Sequence, residues 1–155
     1  MADVFTKSER SRVMSLIRSK NTKPEVQTRK QLHRLGLRFR LHDASLPGKP
    51  DIVLRKYKTV IQVRGCFWHG HNCKVGHLPA SRNEYWTPKI LKNAERDAKN
   101  DAFLKKAGWD VIVLWECTCR KPKQFMREIA KIASGLRRTS DNIKTSEEKR
   151  KAGKS

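Results

Sequence analysis

Residues 65–85 carry no clean helical or strand period, and so long an irregular stretch inside a chain of 155 residues has to be held by something. It opens with GCFWHGHNC, Gly65 to Cys73, which brings Cys66, His69, His71 and Cys73 into one short span, while Cys117 and Cys119 add two thiols far along the chain. The N-terminus MADVFTKSERSR lacks the apolar stretch of an export signal, so cysteines clustered among histidines argue for metal or free thiols before disulfides. Zinc takes four Cys and His ligands in a tetrahedron. Two thiols and one imidazole from this loop, with Cys117 or Cys119 as the fourth ligand, would tether it and leave one histidine for acid–base work near neutral pH. The plainer alternative is thiols that fill the core and histidines satisfied by hydrogen bonds.

Charge narrows the partner. Lys and Arg number 36 against 15 acidic residues, a formal charge of +21 that would repel itself without a polyanion, of which nucleic acid is the commonest in a cell. This implies binding, and by itself no chemistry. No apolar run approaches the roughly 20 residues of a membrane helix, and the chain is expected to be soluble and cytoplasmic, associated with the nucleoid.

Local patterns give an α/β order. A capping box at Thr6–Glu9 opens a short basic helix over 7–18, and Thr22-Lys-Pro-Glu25 opens a second that stops at Gly36. Leu37, Phe39 and Leu41 alternate with basic residues as in a strand. Pro50–Leu54 and Thr59–Arg64 read as a hairpin that sets Asp51 opposite Gln62, with Arg64 on the same face. A helix over Pro88–Ala107, a strand over Trp109–Leu114 and a helix over Lys123–Ile132 follow. The order implies a small mixed β-sheet flanked by helices, with a zinc-braced loop. One domain is expected over 1–136, with an N-terminal helical arm over about 1–20. Residues 137–155 are charged and core-poor and are expected to form a disordered basic tail.

Asp51 stands alone. It is the single acidic residue between Asp43 and Glu84, in a stretch that carries Lys49, Arg55, Lys56, Lys58, Arg64, Lys74 and Arg82. A carboxylate on a surface that attracts phosphate weakens binding unless it holds a cation the phosphate also needs. A Pro-Asp pair can also just begin a strand. The context, Pro50-Asp51, a hairpin, then Gln62-Val63-Arg64, resembles the metal-binding signature of restriction-endonuclease-like nucleases, except that Gln62 is neutral where an acidic residue is usual. The Val63 backbone carbonyl would be one way to replace that ligand.

Phe67 and Trp68 lie between candidate ligands, where a zinc knot would hold them rigid beside a basic strand, and apolar wedges between base steps open or kink a duplex. Trp86 would join them. Trp86, Lys89, Asn93 and Arg96 follow at helical spacing and would form one face able to stack and to meet phosphates and base edges, though a solvated face is the ordinary reading of such a stripe.

GCFWHGHNC, preceded by DASLPGKPDIV and followed by SRNEYWTPKILKNAERD and LWEC, closely resembles the very-short-patch-repair (Vsr) mismatch endonucleases over about residues 3–120. The resemblance implies a restriction-endonuclease-like fold and a magnesium-dependent endodeoxyribonuclease that nicks one strand at T:G mismatches left by deamination of 5-methylcytosine. It implies Asp51 as the ligand shared by two magnesium ions, the Val63 carbonyl as a further contact, His69 as base or water-positioning group, Glu25 acting through water on the metal, and Asp97 in support. It gives one structural zinc to Cys66, His71, Cys73 and Cys117. Phe67, Trp68 and Trp86 become the intercalating wedge, with Met14 approaching from the other groove. Arg64 stands where the family usually has a histidine, which suggests a fixed cation facing the DNA. The partners implied are T:G-mismatched duplex DNA, bound by a monomer, and mismatch-repair proteins. Two rivals remain at this stage: a restriction-like nuclease without mismatch preference, and a zinc-stabilised nucleic-acid-binding protein without catalysis.

Overall fold

The computed structural model describes residues 6–16, 20–77 and 83–153; the side chains of residues 10, 13–16 and 83 lie outside it. Helices α1 (Lys7–Leu16) and α2 (Lys23–Arg34) lead into strands β1 (Arg40–Leu41), β2 (Ile52–Leu54) and β3 (Thr59–Arg64). Helix α3 (Asn83–Lys106), β4 (Asp110–Trp115), the short α4 (Glu116–Cys119) and α5 (Pro122–Ala152) complete the chain.

Local sequence sets the helix ends. The carboxylate of Glu9 accepts from the Thr6 amide while Thr6 Oγ1 accepts from the Glu9 amide, so the expected capping box is formed. At the C-terminal end of α2, Gly36 takes a left-handed φ of 78°, its amide donates to the His33 carbonyl, and the Leu37 amide reaches back to Leu32. Gly108, Lys105, Trp109 and Leu104 repeat this closure after α3. In both places the residue after the glycine is buried, so each stop also seats an apolar anchor.

The sheet runs β1-β2-β3-β4, antiparallel for the first two pairs and parallel for β3 and β4, with α3 as the crossover. Strand alternation feeds two cores. Ile52, Leu54, Ile61, Val63 and Leu114 point to one face and meet Leu32 of α2 and Phe125, Ile129, Ile132 and Leu136 of α5. Val53 and Val60 point to the other, against Leu104 and Trp109. Asp51, Gln62 and Arg64 share the parity of Val53 and Val60 and therefore face α3. The hairpin register pairs Ile52 with Ile61, which places Asp51 opposite Gln62 as expected.

Three expectations need correction. The strand expected over 37–41 shrinks to Arg40–Leu41, because Leu37 is drawn into the α2 closure and β2 offers only Ile52 and Val53 as partners. Helix α3 starts at Asn83, ahead of Pro88, so Pro88 lies inside its second turn. Helix α5 does not end near Ile132: it continues through the segment expected to be a disordered tail, as far as Ala152. Its last buried residue is Leu136, so core-poor was the right description, but no proline or glycine interrupts 136–152 and its Lys, Arg and Glu residues favour helix. No described helix is long and apolar enough to cross a membrane.

Candidate active site and metal centre

Two groups of metal-ligating side chains form among the described residues, both beside the C-terminal end of β3. The first contains Cys66, His71, Cys73 and Cys117, with one ligand atom from each lying within 4.8 Å of the others. The parallel register makes this meeting: Arg64 pairs with Trp115, so the residue two beyond each strand end brings Cys66 alongside Cys117. The Cys117 amide donates to Cys66 Sγ at 3.3 Å, and the Gly76 amide donates to Cys73 Sγ at 3.3 Å. His71 stacks on Trp115 with ring centroids 4.1 Å apart and planes 8° from parallel, which sets its Nδ1 3.6 Å from Cys117 Sγ. Ligands around a tetrahedral zinc lie roughly 3.5 Å apart, so this donor set fits the ion. Burial and the neighbouring thiols push Cys66 up to about 12. Burial also raises Cys73, but the Gly76 amide and the other thiols outweigh it and hold that thiol below its ordinary value. A divalent cation removes the penalty for ionising adjacent thiols. Cys119, the sequence's other choice for fourth ligand, is buried in the core and pushed up to about 11 by that burial.

The second group is Glu25, His42 and Asp51. Glu25 is buried at the start of α2, where it accepts from the Asn21 amide at 2.9 Å and from Thr22 Oγ1 at 3.2 Å. The capping box thus delivers Glu25 to the site as well as closing the helix. Asp51 Oδ2 accepts from the Val63 amide at 2.7 Å. Amide and carbonyl of one strand residue point to the same edge, so the Val63 carbonyl faces the Asp51 side too. His42, read from the sequence only as a polar strand position, has Nε2 3.5 Å from Glu25 and Nδ1 3.9 Å from Asp51. Burial pushes Asp51 up to about 6; the Val63 amide pulls it down, Glu25 pushes it up further, and His69 and Arg64 pull it down. A buried carboxylate facing a half-buried one calls for positive charge, which supports a divalent cation here.

His69 is close enough for its charge to act on Asp51, and its Nδ1 is hydrogen-bonded to Asp97 Oδ2. That bond leaves Nε2 as the nitrogen available for proton transfer. Burial raises Asp97, but the hydrogen bond and charge of His69, with Arg64 and Arg96, outweigh it and hold the carboxyl below its ordinary value. Arg64 Nη2 lies 2.8 Å from both oxygens of Asp101, and Nε lies 4.0 Å from Asp97 Oδ2. The guanidinium expected to face DNA is thus tied to α3, and its side chain is only 11% exposed. Asp101, one turn beyond Asp97, went unnoticed in the sequence, where it is one charge among many on a long helix.

Phe67, Trp68 and Trp86 pack edge to face, with centroids 5.1 to 5.7 Å apart, and Tyr85 extends the cluster against Trp86 at 5.0 Å. All three expected wedge residues are half-buried and Tyr85 is exposed. Asn93 donates to the Trp68 carbonyl at 3.0 Å and accepts from Arg96, so it anchors the wedge loop to α3. Lys89 sits over the Tyr85 ring at 4.2 Å and donates to its hydroxyl. The side chain of Met14 lies outside the described residues.

The family model described as DNA mismatch endonuclease Vsr matches residues 2–75. The chain is 55% identical over 128 residues to the type II nicking enzyme V.NmeAIP of Neisseria meningitidis, an alignment covering 83% of this chain and 91% of that protein. It is 50% identical over 117 residues to the type II nicking enzyme V.XorIIP of Xanthomonas oryzae, covering 76% and 86%. Identity to the DNA mismatch endonuclease Vsr of Escherichia coli is 46% over 128 residues, covering 83% and 82%.

Proposed function

This chain belongs to the family of Vsr DNA mismatch endonucleases, and on that basis we propose that it nicks one strand of duplex DNA at T:G mismatches left by deamination of 5-methylcytosine. The observation that carries the reading is the convergence, at the end of β3, of Asp51 with the His69–Asp97 pair, next to the aromatic cluster.

Asp51 and the Val63 carbonyl would hold magnesium, two ions in all, with Glu25 bonding to its outer water. Cys66, His71, Cys73 and Cys117 would hold zinc. Magnesium supplies charge that stabilises phosphate oxygens and lowers the barrier to attack by water. His69 Nε2 orients that water and accepts its proton, while Asp97 fixes the ring and stabilises the charged imidazole. Arg64, bonded to Asp101, keeps Asp97 in place from behind. Phe67, Trp68 and Trp86 enter the stack at the mismatch, helped by Met14 from the opposite groove, and a wobble step costs less to open than a matched one. The +21 charge, Lys89 included, neutralises backbone phosphates. We read the sheet and helices as a restriction-endonuclease-like core acting as a monomer on DNA, at the nucleoid, with mismatch-repair proteins as later partners.

The test uses labelled duplexes with a T:G or a matched pair, with and without magnesium. Single-strand nicking of T:G duplex alone, dependent on magnesium and abolished by Asp51→Ala with DNA binding retained, is the expected result. Cutting that ignores the mismatch would point to a restriction-like nuclease, and no cutting of any duplex to a binding protein.

A further inference from the structure

Glu25, His42 and Asp51 come from three separate places: the first turn of α2, the residue after β1, and the residue before β2. The β1–β2 register sets His42 opposite Asp51 and the docking of α2 adds Glu25, so that one ligand atom of each lies within 4.8 Å of the other two. His42 Nε2 is buried without a hydrogen-bond partner, 3.5 Å from Glu25 Oε2. A buried polar atom left unsatisfied asks for a missing partner. The backbone keeps it there: His42 has a left-handed φ of 47°, and its amide donates to the Asp51 carbonyl at 3.2 Å.

We propose that His42 is a ligand of the cation held by Asp51, so that an imidazole nitrogen enters a site otherwise made of oxygens. The inference rests on the reading that Asp51 holds the catalytic cation. Neighbouring ligands of a six-coordinate ion with bonds near 2.1 Å stand about 3.0 Å apart and opposite ones about 4.2 Å. The His42 and Asp51 atoms, which lie within 4.8 Å of one another, reach such separations by sub-ångström movement, while Glu25 acts through bound water. Nitrogen ligands favour manganese and cobalt over magnesium, which prefers oxygen. His42 therefore widens the range of ions the site accepts, and carries an observable that carboxylates lack: a nitrogen directly bonded to the metal.

The experiment measures Mn2+ binding to the zinc-loaded full chain without DNA, by paramagnetic resonance, with spin-echo modulation to detect directly bonded nitrogen. His42→Asn and His42→Gly both suit a left-handed φ, and neither brings an imidazole. Circular dichroism and thermal unfolding check their fold. Wild type should bind Mn2+ with a nitrogen coupling that survives in His69→Gln and vanishes in both His42 variants. Mn2+ affinity should fall roughly tenfold in those variants, and Mg2+ affinity, read by competition, less than about threefold. A nitrogen coupling that persists in both variants, or a wild type that shows none, overturns the proposal. Asp51→Ala separates the two ideas. If it binds Mn2+ like wild type, the reading of Asp51 as the cation ligand fails. If it loses Mn2+ while the His42 variants bind normally, only the assignment of His42 fails.

Discussion

Cys117 lies against Cys66, its amide donating to Cys66 Sγ at 3.3 Å, because β3 and β4 are parallel and end level with one another. A parallel pair brings both strands' exits to the same carboxyl end of the sheet, which is where α/β proteins place their sites. The loop after β3 thereby leaves the sheet next to the turn after β4, and a single ion can bind both. An ion on these four side chains would hold the exit of the strand that carries Val63 and Arg64, and through it the surroundings of Asp51.

Cys117→Ser should therefore lose zinc and destabilise the whole domain, by about 2–5 kcal/mol, and Cys119→Ser should keep zinc at one ion per chain. Metal content by atomic absorption and the unfolding midpoint check both. Stoichiometric zinc in Cys117→Ser would defeat this assignment.

The contrast between these two cysteines shows what could be read from the sequence. Cys66, His69, His71 and Cys73 were visible as a local cluster, but the residues alone left open which histidine and which of Cys117 and Cys119 would join it; the resemblance named His71 and Cys117, and the strand register supplies the physical reason for Cys117. With the offset between Arg64 and Trp115 known, Cys117 follows by arithmetic. Asp51 stands out as a candidate because its isolation among cations needs no structure, and the fold sets it beside Glu25 and His42. His42 and Asp101 were not legible: a two-residue β1 carries too little pattern to pair His42 with Asp51, Glu25 reaches His42 only when α2 docks, and Asp101 meets Arg64 only when α3 docks. The extent of α5 was not legible because a charged, core-poor segment has the composition of a disordered tail, while its Lys, Arg and Glu without a breaker sustain helical backbone.

Asp97→Asn should lower the nicking rate about 10–100-fold with DNA binding nearly unchanged. The amide can still bond to His69 Nδ1, but it removes the charge that stabilises the imidazolium and can select the wrong tautomer. Single-turnover kinetics of Asp97→Asn, His69→Ala and the double variant give the check. If the residues act as a unit, the double variant should be little slower than His69→Ala, and strictly multiplicative losses would show that they act independently.

Arg64→Met should destabilise the fold by about 3 kcal/mol, because it leaves Asp101 and Asp97 facing one another with their shared cation gone. Adding Asp101→Asn should recover part of that loss. A double-mutant cycle by denaturant unfolding measures the coupling; a value near zero would make Arg64 a surface charge despite its burial.

Asp43 predicts an acid-range effect. Its carboxylate accepts from the Ser45 hydroxyl and amide and from Arg55, which together hold it at about 2, below the ordinary 3.8. A lowered carboxyl stabilises the fold when ionised in both states, so the benefit is full above about pH 4 and is lost as the pH falls towards 2. The stability difference between wild type and Asp43→Asn should be constant from pH 5 to 7 and shrink below pH 4. A difference that grows on acidification would contradict it.

Two glycines should respond to alanine with opposite signs. At Gly76 an added Cβ would stand 2.2 Å from the His71 carbonyl oxygen and 3.0 Å from that of Cys66. Both are backbone atoms of the cysteine–histidine loop, so neither can rotate away, and relief requires the turn that aims the Gly76 amide at Cys73 Sγ to open. Gly76→Ala should therefore weaken zinc binding and lower the unfolding midpoint. Gly135 lies inside α5 with nothing within 4 Å of a new Cβ. There alanine only restricts the unfolded chain and favours helix, so Gly135→Ala should stabilise by about 0.5–1 kcal/mol with zinc content unchanged. Chelator titration separates the two effects: Gly76→Ala should release zinc at lower chelator concentration than wild type, while Gly135→Ala should release it at the same concentration. Unchanged zinc release from Gly76→Ala would mean that the loop bends at no cost, and that its hold on the end of β3 is weaker than the contacts imply.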